Sequence, residues 1–283
     1  MSKSEILTEA DLENFRIHPA TKSRIEEACG SGAGRKAEFR ILDWGCGRGR
    51  AVAWLRMNGY QAYGVDIDRG PLENGRPFFQ NRGWDAHQIL MELRENGTVD
   101  YPDGSFDLCF SDQVLEHVRN LAPLAEELRR LLKPGGVAIH IFPARWRIRE
   151  PHLGMPFIHW LPKHRPWRRW AIFACLLLGI NPKWRQAAGM SRWDSSGIYA
   201  DYTLLKTYYR SLSELRKPFL DSRFEVRFLR GNGLGDDSRS ARSLVSAWLH
   251  RHFGSVRLLV IKEARKAGRD VVPRTGIESP CAV

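Results

Sequence analysis

The sequence predicts an α/β protein built on a mostly parallel sheet with helices on both faces. Short apolar runs, rich in β-branched and large side chains, recur at residues 39–42, 61–66, 106–110 and 137–142, and segments of helical character separate them. That alternation demands crossover connections, which make parallel strands buried on both sides. The first run leads into three glycines at alternate positions, Gly45, Gly47 and Gly49, and then into AVAWLRM, the opening of a helix. At 283 residues and 43% hydrophobic content, the chain is long enough for one large domain with an insertion.

In chain order, residues 1–30 read as two short helices separated at Pro19, with Thr8 as an N-cap ahead of Asp11 and Glu13. SGAGR (31–35) reads as a flexible joint into the first strand. The glycine turn frees the backbone for positive φ and lets a ligand lie against the main chain. A nicotinamide-dinucleotide fingerprint would place its third glycine where Arg50 stands, one residue later than Gly49. The second strand ends in VDID, and Asp66 lies 21 positions after Gly45. That is close to the ~20 at which such folds set a carboxylate against ribose hydroxyls; the alternative is an acid that simply ends a strand. Residues 71–81 fit a helix, and 87–93 fit strand and helix equally. Pro102, Asp103 and Gly104 turn the chain into the fourth strand. From Leu121 to Leu132 the apolar residues keep helical spacing, closed by Lys133, Pro134 and Gly135. Residues 208–223 read as the helix feeding a later strand, and the chain after about 265 as a disordered tail.

Five scattered cysteines without a CxxC pair suggest neither a disulfide framework nor a zinc site, so no metal is expected. No run reaches the roughly 18 to 20 apolar residues that span a bilayer, and residues 1–30 carry no apolar stretch of a secretory signal. A cytoplasmic protein is the expectation. The charge is uneven: residues 144–217 hold 14 Lys and Arg against four Asp and Glu, and six of the ten tryptophans.

ILDWGCGRG, GVDID, YPDGSFDLCFSDQVLEHV and ELRRLLKPGGVAIHIFP, in this order and spacing, resemble the class I S-adenosylmethionine-dependent methyltransferases, most of all their type 11 branch, over about residues 39–143. The resemblance implies a Rossmann-like seven-stranded sheet whose last two strands, at 224–229 and 256–261, form an antiparallel hairpin. It divides the chain into an N-terminal helical cap (1–38), a cofactor-binding core (39–143), a basic, Trp-rich helical insertion after the fifth strand (144–222), closing strands (223–264) and a tail (265–283). It implies S-adenosyl-L-methionine as cofactor. The methionine part would lie over Asp43, Gly45, Cys46, Gly47 and Gly49, the ribose on Asp66, and the sulfonium above Ser111, Asp112 and Gln113. The usual short acidic loop after the third strand is replaced by ELRENGTVD (92–100), which leaves the adenine contacts unassigned. Glu116 and His117 match the family's EH pair, which more often seats the helix than performs chemistry.

Such a site transfers a methyl group in line, so its main task is alignment, with a proton acceptor added for oxygen or neutral nitrogen acceptors. The insertion resembles the family's acceptor-covering lid. Glu150, His152 and His159, in REPHLGMPFIHW, are the candidates for acceptor contacts or a general base. Residues 160–184 place a ten-residue apolar run between tryptophans and arginines. That reads as a lid helix buried on the core or as a peripheral membrane contact. The expected function is methyl transfer to a small-molecule, sugar or lipid-linked acceptor. The alternatives are an RNA methyltransferase using the basic insertion and a non-catalytic cofactor-binding partner protein. Nucleic acid is disfavoured because no NPPY-type tetrapeptide follows the fourth strand.

Overall fold

The computed structural model describes residues 6–30, 34–182, 187, 189–229 and 255–262. In β1 (Arg40–Trp44), Ile41 and Leu42 are both fully buried, yet they join different apolar clusters on opposite faces of the sheet. A strand covered twice belongs in the middle of a parallel sheet. The seven strands run in the order β3-β2-β1-β4-β5-β7-β6. β2 (Gln61–Asp66), β3 (Leu90–Glu92), β4 (Phe106–Asp112) and β5 (Leu132–Pro143) continue β1 in parallel. β7 (Ser255–Lys262) is antiparallel to both β5 and β6 (Phe224–Phe228), as the expected closing hairpin requires.

Of the helices, α2 (Pro19–Cys29), α4 (Arg50–Met57) and α5 (Arg69–Gln80) cover one face through Ile25, Val52, Leu55, Leu72 and Phe79. On the other face lie α7 (Leu121–Leu131) and α10 (Leu212–Asp221), with Leu124, Leu128 and Phe219. Two short helices, α1 (Ala10–Glu13) and α3 (Arg35–Glu38), precede the sheet, and α6 (Ala86–Ile89) enters β3.

Local chemistry moves several boundaries from where the sequence alone sets them. Pro19 opens α2 at its first turn, where a missing N–H costs nothing, and does not simply separate two helices. The Thr8 hydroxyl donates to Asp11 rather than accepting a helix N–H. The stretch 87–93 is both helix and strand, because the Asp85 carboxylate caps α6 at the N–H groups of His87 and Gln88 before the chain extends into β3. Lys133 to Gly135 belong to β5 instead of a helix end. The helix expected from Tyr208 begins at Leu212, where Ser211 and Glu214 form a reciprocal capping box. Residues 31–33 of the expected joint, the tail after 265 and Trp184 lie outside the described residues.

The insertion does not bury its helix on the sheet. α8 (Arg165–Leu177) packs on α9 (Arg192–Leu205), and Leu153, Met155, Ile158, Ile172 and Tyr199 make a third apolar cluster separate from the other two. Arg168 of α8 is buried and donates to the carbonyls of Leu161, Pro162 and Thr203. Arg210, just after α9, ties this unit to the sheet by donating to the carbonyls of Leu115, Val118 and Arg119, while the Tyr208 N–H donates to Glu116 O at 2.6 Å. The loop that leaves β4 is thereby held from the insertion side.

Within the sheet, Ser111 and His140 face each other across β4 and β5, hydroxyl to Nδ1 at 2.8 Å, both fully buried. Burial pushes His140 down to about 3, so it folds neutral. Unfolded, it takes up a proton below about 6.5, and its contribution to stability is complete above that pH and lost as pH falls from about 6.5 toward 3. We expect denaturant titrations to show a loss of about 2 kcal/mol from this group at pH 5 relative to neutral pH. His140→Asn, which cannot titrate, should flatten the profile by that amount.

Candidate active site

β1 ends in a turn that laps over the end of β2. The N–H groups of Gly45 and Cys46 both donate to Val65 O, at 2.8 and 3.0 Å, and the Gly47 N–H donates to Asp66 Oδ2 at 2.8 Å. Gly45, Gly47 and Gly49 all take positive φ, which lets the turn coil this tightly. Their surroundings differ. A Cβ at Gly45 would lie 2.5 Å from Val114 and one at Gly49 2.7 Å from Leu90, so both serve close packing. A Cβ at Gly47 would meet no protein atom within 4 Å, and here the main chain is bare toward open space. Behind the turn, Gly75 of α5 sits so close that a Cβ would come 2.1 Å from Arg48 O. Cys46 is buried and packs against Gly64 of β2.

Two cavities meet at Gly45 and Gln113, along the carboxyl edge of the parallel strands where open α/β sheets receive ligands. The larger, about 560 Å³, is bordered by Asp66, the 93–97 loop and His117. The smaller, about 300 Å³, lies between the glycine turn and the start of α2, and takes in Asp43, Cys46 and Asp112 together with Arg16 and His18. The 93–97 loop belongs to the 92–100 stretch, and the chain just beyond it, at Val99 and Tyr101, is anchored from α7. Glu127 accepts from the Val99 N–H, and Arg130 donates to the carbonyls of Val99 and Tyr101.

Carboxylates dominate the floor. Burial, followed by the charges of Asp66 and Asp112, raises Asp43 well above the ordinary range. Asp112 is also raised, mainly by desolvation. Asp66 is prepared differently: each of its oxygens accepts one backbone N–H, from Gly47 and from Asp68 at 2.9 Å, leaving a further acceptor site on each. This floor suits a ligand that combines positive charge with a pair of hydroxyls. Gln113 holds a positive φ of 58° at the junction of the two cavities, its N–H donated to Ile141 O. Ser111 borders neither cavity, since its hydroxyl is spent on His140.

Of the three acceptor-side candidates, the structure joins two and sets the third apart. Glu150, fully buried, accepts from His152 Nδ1 at 3.0 Å, from the Tyr209 hydroxyl at 2.5 Å and from the N–H groups of His152 and Leu153. Burial alone would raise it, but these donors outweigh burial and hold its carboxyl below the usual range. His152 Nε2 lies 3.2 Å from His117 Nε2, and His117 borders the large cavity. His159 lies behind Tyr209, ring centroids 4.7 Å apart, and desolvation pushes it down to about 4. The EH pair, left outside the catalytic candidates by the sequence reading, is at the centre: Glu116, His117 and His152 bring one ligand atom each within 4.8 Å of one another.

Comparison with known proteins agrees with this geometry. Residues 42–140 match the family model described as a methyltransferase domain. Methyltransferase GfsG of Streptomyces halstedii is 31% identical over 101 residues, 35% of this chain and 36% of that protein. Ubiquinone biosynthesis O-methyltransferase of Acinetobacter baumannii (strain AYE) is 29% identical over 130 residues, 45% of this chain and 50% of that protein. The chain thus spans half or less of the length of these curated relatives. Among solved structures, an S-adenosylmethionine-dependent methyltransferase from Mesorhizobium loti superposes with a TM-score of 0.50 at 18% identity, over 86% of this chain and 96% of that one. Phosphoethanolamine N-methyltransferase 2 of Haemonchus contortus, in complex with S-adenosyl-L-methionine, gives 0.52 at 16% identity, over 91% and 56%. At such identities these likenesses speak for the fold alone. Residues 42–140 thus match the methyltransferase domain family, and the strand order is that of the Rossmann-like sheet the resemblance implies.

Proposed function

We propose that this chain transfers the methyl group of S-adenosyl-L-methionine to a small-molecule or lipid-linked acceptor covered by the insertion. The observation that carries the reading is the pair of cavities joined at Gly45 and Gln113, one ending on the prepared Asp66 carboxylate and the other on the Asp43–Asp112 floor. Bound there, the cofactor supplies an electrophilic methyl group on a sulfonium. The residues do the rest. Asp66 accepts the two ribose hydroxyls, and the 93–97 loop walls in the adenine. Gly47 leaves the methionine part room against bare backbone, and Asp43 and Asp112 face its positive charge. Arg16 and His18 border the smaller cavity on the side suited to a carboxylate. His152, oriented by Glu150, forms with His117 the wall that an acceptor would meet. His159 is a positioning residue, packed on Tyr209. Malonyl-[acyl-carrier protein] O-methyltransferase of Serratia marcescens, 31% identical over 114 residues, is one relative whose acceptor is tethered to a carrier.

A second observation bears on the acceptor. Along α8 and its C-cap, Trp167, Trp170, Leu177 and Leu178 share one exposed face, each at least half exposed. Trp170 further packs at a tilt against Trp193, and Arg169 lies over that ring. No helix is long and apolar enough to cross a membrane among the described residues. A short amphipathic face of aromatic and cationic residues is the composition that settles into a bilayer interface, which favours an acceptor delivered from lipid.

Calorimetric titration with S-adenosylmethionine and S-adenosylhomocysteine tests the main reading, and no binding of either would overturn it. Asp66→Ala should weaken both by more than about 1 kcal/mol, through loss of charge-assisted hydrogen bonds. Because Asp43 is held protonated more readily than an ordinary carboxyl, the cationic cofactor should bind with release of a proton and more tightly as pH rises. Repeating the titration in buffers of different ionisation enthalpy measures that proton. For the lipid reading, the protein should sediment with anionic vesicles and be released by salt, and Trp167→Ala with Trp170→Ala should abolish the effect.

A further inference from the structure

The cluster of Glu116, His117 and His152 poses a problem of lone pairs. His117 Nδ1 lies 2.6 Å from Lys206 O, and a carbonyl oxygen can only accept, so Nδ1 carries the hydrogen and neutral His117 presents a lone pair at Nε2. His152 Nδ1 faces the Glu150 carboxylate at 3.0 Å, which likewise only accepts, so an unprotonated His152 would also present its lone pair at Nε2. The two Nε2 atoms lie 3.2 Å apart. Either one ring carries a second proton that bridges them, or a metal ion takes both lone pairs.

Glu116 supplies the second, independent observation. Its side chain is 2% exposed, and neither carboxylate oxygen has a hydrogen-bond partner among the described residues. A buried carboxylate left unpaired is costly, and this one stands beside the two facing nitrogens. The separation of the two nitrogens suits a metal ion, with a Glu116 oxygen within 4.8 Å of both. Two imidazole nitrogens bound at about 2.0 to 2.1 Å in tetrahedral geometry are about 3.3 Å apart. The outer shell is already in place, since each ligand histidine donates its other N–H to an oxygen, the Lys206 carbonyl or the Glu150 carboxylate that Tyr209 also holds.

We propose that Glu116, His117 and His152 bind a divalent first-row transition metal ion of the zinc class. Two imidazoles and a carboxylate favour such ions over magnesium or calcium, which take oxygen ligands. Three protein ligands leave a coordination position open, as in catalytic rather than structural sites. His117 borders the 560 Å³ cavity, so the open position faces the space beside the cofactor and would take an oxygen of the acceptor. That use of the ion rests on the methyl-transfer reading, whereas its binding does not. The site also spans two parts of the chain, because Glu116 and His117 leave β4 and His152 belongs to the insertion. Binding the ion would fasten the insertion over the cavity.

The test uses the full chain, stripped with chelator and dialysed, then titrated with Zn²⁺ against a chromophoric competitor, with Mg²⁺ in parallel and with Co²⁺ read by visible absorption. We expect one Zn²⁺ per chain, no competition from equimolar Mg²⁺, and a cobalt d–d band. His152→Ala and Glu116→Gln should each lower Zn²⁺ affinity at least tenfold, while the exposed His87→Gln binds as the wild type does. Circular dichroism verifies that the variants are folded, and Glu116→Gln, nearly isosteric, covers the case in which His152→Ala is not. Absence of stoichiometric Zn²⁺ binding, or binding unchanged in both ligand variants, would overturn the proposal. Titration of the same stripped protein with S-adenosylhomocysteine separates the two claims: cofactor binding without zinc binding sinks the metal site alone, and zinc binding without cofactor binding sinks the methyl-transfer reading alone.

Discussion

The hydrogen bonds that fasten the turn after β1 to the end of β2 are the constraint on which the site rests. Val65 O receives two N–H groups and Asp66 one, all from three consecutive residues of the turn. These bonds require a coil that passes through positive φ at alternate positions, and they fix the Asp66 carboxylate before any ligand arrives. The packing around the turn is equally tight, with Leu90 and Phe79 against Gly49 and Gly75 of α5 against Arg48. The turn is therefore a rigid part of the sheet's edge, as a site that works by alignment needs.

The opposite wall is built on another principle. The loop from Leu115 to Arg119 has no regular structure of its own and is organised from the insertion, by the Arg210 guanidinium and the Tyr208 N–H. Carbonyls that a loop would otherwise show to water are collected on a single cation, which gives a short irregular segment a defined shape. The same loop places Glu116 and His117. One wall of the cavity thus depends on β1 and β2, and the other on residues some 90 positions further along the chain.

This difference explains what could be read from the sequence. The strands β1, β2, β4 and β5 and their crossover helices follow from apolar periodicity and glycine placement, which are local signals, whereas the closing hairpin follows from the family resemblance. Asp66 and the glycines follow from the same short stretch. The meeting of His152 with His117 and the Arg210 clamp join residues far apart in sequence, and no local pattern encodes them. His152 and His159 both lie near where the chain leaves the sheet's carboxyl edge, yet the 3-10 turn at Ile158–Trp160 carries His159 behind Tyr209. The family resemblance points to Ser111, but strand alternation turns it toward His140 and away from the strand-end cavities. The insertion's separate core was also illegible, since an apolar run flanked by tryptophans does not say which surface it will cover.

That separate core has an evolutionary consequence. The cluster around Leu153, Met155 and Ile172 has no residue in common with the two that line the sheet. A lineage could therefore resculpt this module, residue by residue, without disturbing the packing of the sheet whose edge carries Asp66. Drift in the one core leaves the other sheltered.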